Sequence, residues 1–150
     1  AFLDRQDAVL RGLQADLAAL PGLHVVVGHA QRQGGELFNT ASVLVDGRRL
    51  FDYHKRELPN YAVFDERRYF SAHGAPQAFE LGGVRFGVAI CEDIWFEAAP
   101  RAAARRACRG AAGQAAGAAD AGAVFFITGA ISVMRSIGSS LSLATISPTG

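Results

Sequence analysis

The stretch Val84-Arg85-Phe86-Gly87-Val88-Ala89-Ile90-Cys91-Glu92-Asp93 joins an apolar run to a cysteine followed by two acids. Large apolar residues alternate with small or polar ones, which predicts a strand with Val84, Phe86, Val88 and Ile90 on one face. The same alternation predicts Cys91 on the other face, where a thiol can act as a nucleophile. Inert packing is the alternative, because unpaired cysteine is among the most buried residue types.

Composition favours one folded domain over a nucleic-acid-binding or disulfide-linked protein. The chain has 150 residues, of which 50% are hydrophobic, so a core is expected. A net charge of +1 with scattered lysine and arginine argues against a nucleic-acid surface. Cys91 and Cys108 are too few for a disulfide framework and lack the spacing of a zinc site. A reducing cytoplasm is therefore expected.

Neither the first residues nor the apolar run over residues 121–134 predicts a signal peptide or a membrane-spanning helix. The first residues include Asp4, Arg5 and Asp7 instead of the basic flank and apolar core of a signal peptide, and the start resembles the interior of a longer chain. Residues 121–134 are uncharged and mostly apolar, but the run is shorter than the roughly 20 residues that span a bilayer. It is predicted to be a buried strand.

The N-terminal residues predict a helix that covers a sheet. Apolar residues recur at helical spacing, and Pro21-Gly22 ends the pattern; these residues are Phe2, Val9, Leu13, Leu17 and Leu20. His24 to His29 follows as a predicted strand. Its two histidines point to opposite faces, so no metal site is expected there.

Two hairpins are predicted, and each leads to a candidate reactive residue. Asp46-Gly47 is a two-residue turn that favours positive φ, which would place Val45 opposite Arg48 and Val43 opposite Leu50. The returning strand delivers Lys55 on the face of Phe51 and Tyr53. Gly82-Gly83 predicts the second hairpin, whose outgoing strand delivers Cys91. Lys55 and Cys91 are expected to end strands at one edge of the same sheet.

A charged and aromatic loop follows Lys55, because Pro59 stops the strand. Its pattern is Lys-x-x-Leu-Pro-x-Tyr-x-Val-Phe-Asp-Glu-x-Arg-Tyr-Phe over residues 55–70. Together with Ile-Cys-Glu-Asp-Ile-Trp over residues 90–95, it resembles the nitrilase (carbon–nitrogen hydrolase) superfamily, and within it the glutaminase domain of glutamine-dependent NAD+ synthetases. The resemblance predicts a partial hydrolase domain over residues 1–97 and a divergent tail over residues 98–150.

The resemblance implies an α/β fold, an incomplete α-β-β-α sandwich of nitrilase type. It implies hydrolysis of glutamine through a cysteine thioester, which supplies ammonia for NAD+ synthesis. No cofactor is expected in this domain. ATP and Mg²⁺ would belong to a synthetase domain, of which the sequence shows no sign, and the intact enzyme is expected to be a homo-oligomer.

Site roles also follow from the resemblance. Cys91 is the implied nucleophile, and Lys55 with the backbone N–H of Glu92 is the implied oxyanion pocket. Glu66 resembles an accessory glutamate beside the lysine, while Tyr61 and Glu92 match glutamine-pocket positions.

The family's base is a glutamate on a unit that precedes the segment matched here. Glu36 is the only glutamate before Lys55, and it lies in a glycine loop, so the chain by itself is expected to be inactive.

Four alternatives stay open on sequence alone. The chain could be a stand-alone nitrilase-type amidase, or a truncated or frameshifted product without catalysis. Glu66, Arg67 and Arg68 could form a surface ion-pair set worth under about 1 kcal/mol. A Cys-His arrangement through His54 is less favoured, because His54 alternates away from the face of Lys55.

Overall fold

The chain folds into two β-sheets preceded by one long helix. The computed structural model describes residues 2–61, 65–98, 101–102, 105, 122–127, 131–137 and 140–146. The first elements, in chain order, are α1 (Phe2–Leu17), β1 (Leu23–Gln33), β2 (Glu36–Val45), β3 (Arg48–His54) and α2 (Glu66–Tyr69). The remaining elements are β4 (Ala78–Leu81), β5 (Val84–Ile90), a 3₁₀ turn (Cys91–Ile94), β6 (Gly122–Ile127), β7 (Ile131–Ile137) and β8 (Ser140–Ile146).

The larger sheet has five antiparallel strands in the order β3-β2-β1-β7-β8. The β-branched run Val25 to Val27 lies in β1, where such side chains pack well on a pleated surface. β1 pairs with β2 along its whole length, from His24 opposite Val45 to Gln33 opposite Glu36. The central strand of this sheet is therefore the predicted His24–His29 strand, extended by four residues at its end.

The Asp46-Gly47 turn is confirmed, with φ of 49° and 75°. Gly47 is also required by space, because a Cβ atom there would lie 2.8 Å from the Cβ of Ala18, just beyond α1. Val45 pairs with Arg48 as predicted. The hairpin tip is thus fitted closely under the end of the helix.

The predicted register further along this hairpin is wrong. Val43 pairs with Phe51 and not with Leu50, because the register shifts between Val43 and Leu44. Such a bulge inserts one extra residue into one strand, and residue spacing from the turn does not reveal it.

The smaller sheet has three strands in the order β4-β5-β6. Gly82 and Gly83 have φ of 61° and 77° and connect β4 to β5, with Leu81 opposite Val84, so the second predicted hairpin is confirmed. β6 runs parallel to β5, from Gly122 beside Arg85 to Ile127 beside Ile90.

Two buried clusters hold the layers together. The first joins the facing surfaces of the two sheets, through Val26, Ala41, Val43, Tyr53 and Met134 on one side and Phe79, Leu81, Phe86, Val88 and Ile90 on the other. The second packs α1 on the opposite face of the larger sheet, through Leu10, Leu17, Val25, Val27 and Leu44. The described layers are thus helix, sheet and sheet, and the predicted mixed α/β class is confirmed.

The predicted apolar face of α1 is partly wrong. Leu10 and Leu17 are buried and Leu13 packs beside them, whereas Phe2 and Val9 are exposed. Leu20 lies beyond the end of the helix and is also exposed. The side chains three and seven residues apart set the contact face.

Residues after 98 contribute strands to both sheets. The apolar run 121–134 divides between β6 and β7, and Ser132 and Met134 of β7 are buried. None of the helices in the part of the chain that the structure describes could span a lipid bilayer. The interpretation of residues 98–150 as a divergent tail stays a prediction.

Candidate functional site

A cavity of about 370 Å³ contains the predicted nucleophile and its cation. Residues from both sheets and from the loop between β3 and β4 line it: Gly28, His29, Ala30, Asn39, Thr40, Lys55, Glu66, Phe70, Ile90 and Cys91. The structure thus brings Cys91, Lys55 and Glu66 together, although they are far apart in sequence.

Lys55 is almost completely buried and is paired with Glu66. Its Nζ donates to both carboxylate oxygens of Glu66, at 2.8 and 2.9 Å, while its side chain is 2% exposed. The backbone N–H of Lys55 donates to Asn39 at 2.8 Å, which keeps the residue beside β2 after β3 has ended. A buried ammonium needs such a partner, because an unpaired buried charge is very costly.

Glu66 does not form the surface ion-pair set that was the alternative. Arg67 donates its Nε–H to the carbonyl of Leu58, and Arg68 pairs with Asp65 at 3.7 Å. The accessory position predicted for Glu66 is therefore occupied by a carboxylate that contacts the lysine.

Cys91 has an unusual backbone for a cysteine. It is the first residue of the 3₁₀ turn, its φ is 46°, and its thiol is free and partly buried. A non-glycine residue with positive φ is uncommon and costs of order 1–3 kcal/mol. Such strain is found at functional sites more often than elsewhere, and here it lies at the residue that lines the cavity.

Two sequence predictions about this pair need correction. Lys55 and Cys91 do not follow strands of the same sheet, since β3 belongs to the five-stranded sheet and β5 to the three-stranded sheet. They meet because the two sheets pack face to face. Cys91 does not lie away from the face of Phe86 and Ile90 either: it packs against their cluster, because β5 ends at Ile90 and strand alternation stops there.

Tyr61 and Glu92 contact each other. The hydroxyl of Tyr61 donates to Oε1 of Glu92; this bond is the main cause of the raised pKa of Tyr61, with desolvation and the charges of Glu92 and Cys91 acting in the same direction. Glu92 is buried and Tyr61 is half-exposed. Neither is among the residues that line the cavity of Cys91, so this pair lies beside the cavity and not in its wall.

Asp93 is a buried carboxylate that the sequence did not single out. It is 0% exposed and accepts four hydrogen bonds, from Tyr53, Ile90, Arg56 and Glu57. Burial, followed by the charge and hydrogen bond of Asp93, raises the pKa of Tyr53, so this phenol stays protonated as a donor. Its position two residues after the cysteine was visible, but its partners 36 to 40 residues away were not.

A second polar cluster lies on the larger sheet outside the sheet-to-sheet core. Asp52 accepts from Ser42 at 2.5 Å, from Gln31 at 2.7 Å and from Arg49 at 3.1 Å. Burial raises the pKa of Asp52, but these bonds and the Arg49 charge outweigh it, so the pKa is lowered overall. Burial lowers the pKa of His29, which contacts Ser42 at 2.6 Å.

Several residues considered on sequence grounds lie elsewhere. Glu36 and His54 line a separate cavity of about 470 Å³, and His54 stacks on Phe38 with ring centroids 4.3 Å apart. Neither is among the residues lining the cavity of Cys91. Cys108 lies outside the described residues, so its comparison with Cys91 stays a prediction.

The arrangement suits attack of a thiol on an electrophilic carbon beside a fixed cation. The resemblance to carbon–nitrogen hydrolases predicts a cysteine, a lysine and an accessory glutamate at one site, and the structure has Cys91, Lys55 and Glu66 at one cavity. The chain belongs to the carbon–nitrogen hydrolase family, whose model matches residues 4–110.

Relatives of known name point to one branch of this family. A glutamine-dependent NAD(+) synthetase of Xylella fastidiosa is 54% identical over 81 residues, which cover 53% of this chain and 15% of that protein. The synthetase of Synechocystis sp. is 38% identical over 106 residues, which cover 66% of this chain and 19% of that protein. The chain therefore spans less than a fifth of the length of these curated relatives.

Solved structures agree on the fold, which is that of the nitrilase superfamily. The glutamine-dependent NAD+ synthetase of Acinetobacter baumannii, in complex with ADP, matches with a TM-score of 0.58 and 35% identity over 66% of this chain and 19% of that chain. A mutant amidase of Nesterenkonia sp. AN1, with acrylamide added at its active-site cysteine, matches with a TM-score of 0.60 and 25% identity over 83% of this chain and 42% of that chain.

Proposed function

We propose that this chain carries the nucleophile and the oxyanion cation of a glutamine amidohydrolase domain, with Cys91 and Lys55 in these roles. The observation that supports it most is the buried Lys55–Glu66 pair in the same cavity as the strained, partly buried Cys91. The names of the relatives favour glutamine as the amide, because the synthetases at 54% and 38% identity are glutamine-dependent.

In the first half of the reaction, Sγ of Cys91 attacks the carboxamide carbon of glutamine, and the carbonyl π bond becomes an oxyanion. Nζ of Lys55 and the backbone N–H of Glu92 stabilise this negative charge. The carbonyl re-forms as the C–N bond breaks, and the nitrogen takes a proton and leaves as ammonia. The product on the protein is a γ-glutamyl thioester.

In the second half, water attacks the thioester, and the thiolate of Cys91 leaves as glutamate is released. Both halves need a base that accepts and returns a proton. Glu66, the described carboxylate in the cavity, already accepts from Nζ through both oxygens, so its role is to hold Lys55. The family resemblance assigns the base to a glutamate upstream of the segment matched here.

Binding of the amino-acid part of glutamine is proposed for the Tyr61–Glu92 pair and its surroundings. Glu92 supplies a buried carboxylate next to the nucleophile, and a carboxylate can hold an α-ammonium group through charge-assisted hydrogen bonds. We also propose that the intact enzyme has a synthetase domain that uses ATP and Mg²⁺. The same proposal includes a homo-oligomeric state and a cytoplasmic location.

A covalent label tests this proposal without turnover. A glutamine analogue with a diazoketone in place of the carboxamide alkylates a thiol: an S–C bond forms, dinitrogen leaves, and the thiol proton moves to the former diazo carbon. We expect peptide mapping to find the adduct on Cys91 before Cys108, at least about tenfold faster for the L than for the D enantiomer, with protection by L-glutamine.

The controls separate the alternatives. Cys91→Ser removes the adduct if the site is correct, and equal labelling of Cys108 contradicts it. Protection by small aliphatic amides as effective as that by L-glutamine would favour a stand-alone amidase. A folded chain that gives no enantiomer preference and no protection by any amide would overturn the proposal in favour of a non-catalytic product.

A further inference from the structure

Asp93 joins the two segments that carry the reactive pair. Its Oδ1 accepts from the backbone N–H groups of Arg56 at 3.1 Å and Glu57 at 2.8 Å. Its Oδ2 accepts from the hydroxyl of Tyr53 at 2.8 Å and from the backbone N–H of Ile90 at 3.0 Å. One buried side chain therefore contacts the chain on both sides of Lys55 and immediately before Cys91.

These contacts lie where regular structure ends. β3 ends at His54 and β5 ends at Ile90, so the residues that follow Lys55 and Cys91 are not held by the hydrogen bonds of a β-sheet. The two strands also belong to different sheets. Asp93 crosses from the 3₁₀ turn of one sheet to the loop of the other, and its bonds fix the distance between these two chain segments.

The chemistry of this position requires a carboxylate. Two oxygens offer about four acceptor sites, and here four donors occupy them. An asparagine in the same place would turn an NH₂ group toward the N–H of Ile90 or those of Arg56 and Glu57, so donors would face each other. Bonds to an ionised acceptor are also roughly twice as strong as neutral ones.

We infer that Asp93 is a positioning residue of the proposed amidohydrolase site, which holds the Lys55 segment in register with the Cys91 turn. It touches neither substrate nor thiol; it acts through the backbone N–H groups of Arg56, Glu57 and Ile90 and through the hydroxyl of Tyr53. That this relative position of Lys55 and Cys91 serves amide hydrolysis rests on the proposed function. The position itself does not depend on that function, and its effect on the thiol can be measured with an alkylating agent that needs no substrate recognition.

The test measures the rate at which iodoacetamide alkylates Cys91 in the full 150-residue chain, with peptide mapping. Asp93→Asn keeps the size of the side chain and removes one acceptor. We expect the alkylation rate of Cys91 to fall by a factor of about ten or more, because the Lys55 segment and the Cys91 turn are no longer held together. The amplitude of labelling is followed separately, with circular dichroism, to count folded molecules.

Asp46→Asn is the matched control. It makes the same chemical change in a carboxylate that also accepts a backbone N–H, that of Gly22, in the turn between β2 and β3. We expect its Cys91 rate to stay within about twofold of the unchanged chain. A role for Asp93 in folding alone would alter the folded fraction of the Asn variant but not the rate per folded molecule, and that result overturns the inference, as does faster labelling.

A measurement on the unchanged chain covers the case in which Asp93→Asn does not fold. The amides of Arg56 and Glu57 lie in a loop, and the acceptor of both is Asp93. We expect their hydrogen exchange to be slowed about a hundredfold or more relative to an unstructured chain, similar to strand amides. Exchange at the rate of an exposed loop would overturn the inference.

The two proposals fail in different ways. Loss of the L-glutamine preference in the diazoketone experiment removes the glutaminase function and leaves the effect of Asp93 on iodoacetamide labelling intact. An unchanged iodoacetamide rate in Asp93→Asn removes the positioning role and leaves glutamine recognition by the Cys91 site intact.

Discussion

Two hairpins deliver the two reactive side chains, and they do so in opposite ways. The β2–β3 hairpin leads into Lys55, which is almost completely buried and whose ammonium group donates to both carboxylate oxygens of Glu66. The β4–β5 hairpin leads into Cys91, which is partly exposed and has a positive φ. The cation is fixed by burial and pairing, whereas the thiol is presented to the cavity by a strained backbone.

The two non-glycine residues with positive φ among those described, Asp46 and Cys91, differ in how the strain of their backbone is compensated. Asp46 has φ of 49° within a turn, a conformation that aspartate tolerates, and its Oδ1 accepts from the N–H of Gly22 at 2.8 Å. Cys91 has φ of 46°, and cysteine has no side-chain carboxylate that could bond the neighbouring backbone in this way. Strain at Asp46 is compensated by the turn, and strain at Cys91 is consistent with a functional reason for its position.

The largest effect is expected from breaking the pair that fixes the cation. Glu66→Gln leaves the buried ammonium of Lys55 without its counter-charge, and we expect the free energy of unfolding in urea to fall by about 3 kcal/mol. Asp65→Asn, next in sequence, removes only an exposed pair with Arg68. It should change stability by less than about 0.5 kcal/mol; equal losses in both variants would show that burial of Lys55 does not depend on its pair.

A smaller effect should sharpen the comparison of backbone strain. Glycine adopts positive φ without the steric cost of a Cβ atom, so Cys91→Gly should be more stable than Cys91→Ala by about 1 kcal/mol in thermal or urea unfolding. In the turn, Asp46→Gly should instead lower stability, because the bond to Gly22 is lost. If the alanine variant is at least as stable as the glycine variant, Cys91 is not strained.

The smallest expected effect is a loss of stability at acidic pH, and it arises from two histidines in the sheet that leads into Lys55. Burial lowers the pKa of His29, and burial is also the main cause of the lowered pKa of His54. Both histidines then bind fewer protons in the folded than in the unfolded chain. Their contribution to stability is present above the unfolded pKa of about 6.5 and is lost as the pH falls through the lower folded values.

The measurement is the free energy of unfolding at pH 7.5 and pH 5.5. We expect a lower value at pH 5.5, and a smaller difference in His29→Gln than in the unchanged chain. An increase of stability toward pH 5.5 would contradict the lowered pKa values. His24→Gln is the control, since this histidine lies at the start of the same strand.

Local rules predicted local structure well in this chain. The turns at Asp46-Gly47 and Gly82-Gly83 were predictable because φ preferences act between neighbours. The bulge after Val43 was not predictable, because the extra residue is Leu50 of β3, and another apolar residue in this strand leaves no break in the pattern. The contact face of α1 was also misjudged, since Val9 fits a helical spacing that includes Leu13 yet lies outside the buried face.

The site required more than local rules. Strand alternation gave Lys55 the face of Tyr53, but only the packing of two sheets brings it to the cavity of Cys91. The family resemblance supplied this pairing. Three of the four hydrogen bonds of Asp93 could be predicted neither from local rules nor from the resemblance, because bonds between residues 36 to 40 positions apart leave no periodic trace in a sequence.

The strand connections have a consequence for the order in which the site is assembled. β1, β2 and β3 pair antiparallel with neighbours in sequence, which requires only short loop closures. β5 also has a local partner in β4, but its parallel pairing with β6 closes the whole segment between Ile90 and Gly122. During refolding, pulse-labelled amides bonded between β1, β2 and β3 should therefore become protected before those of β6, so the lysine's platform exists before the sheet that carries Cys91 is complete.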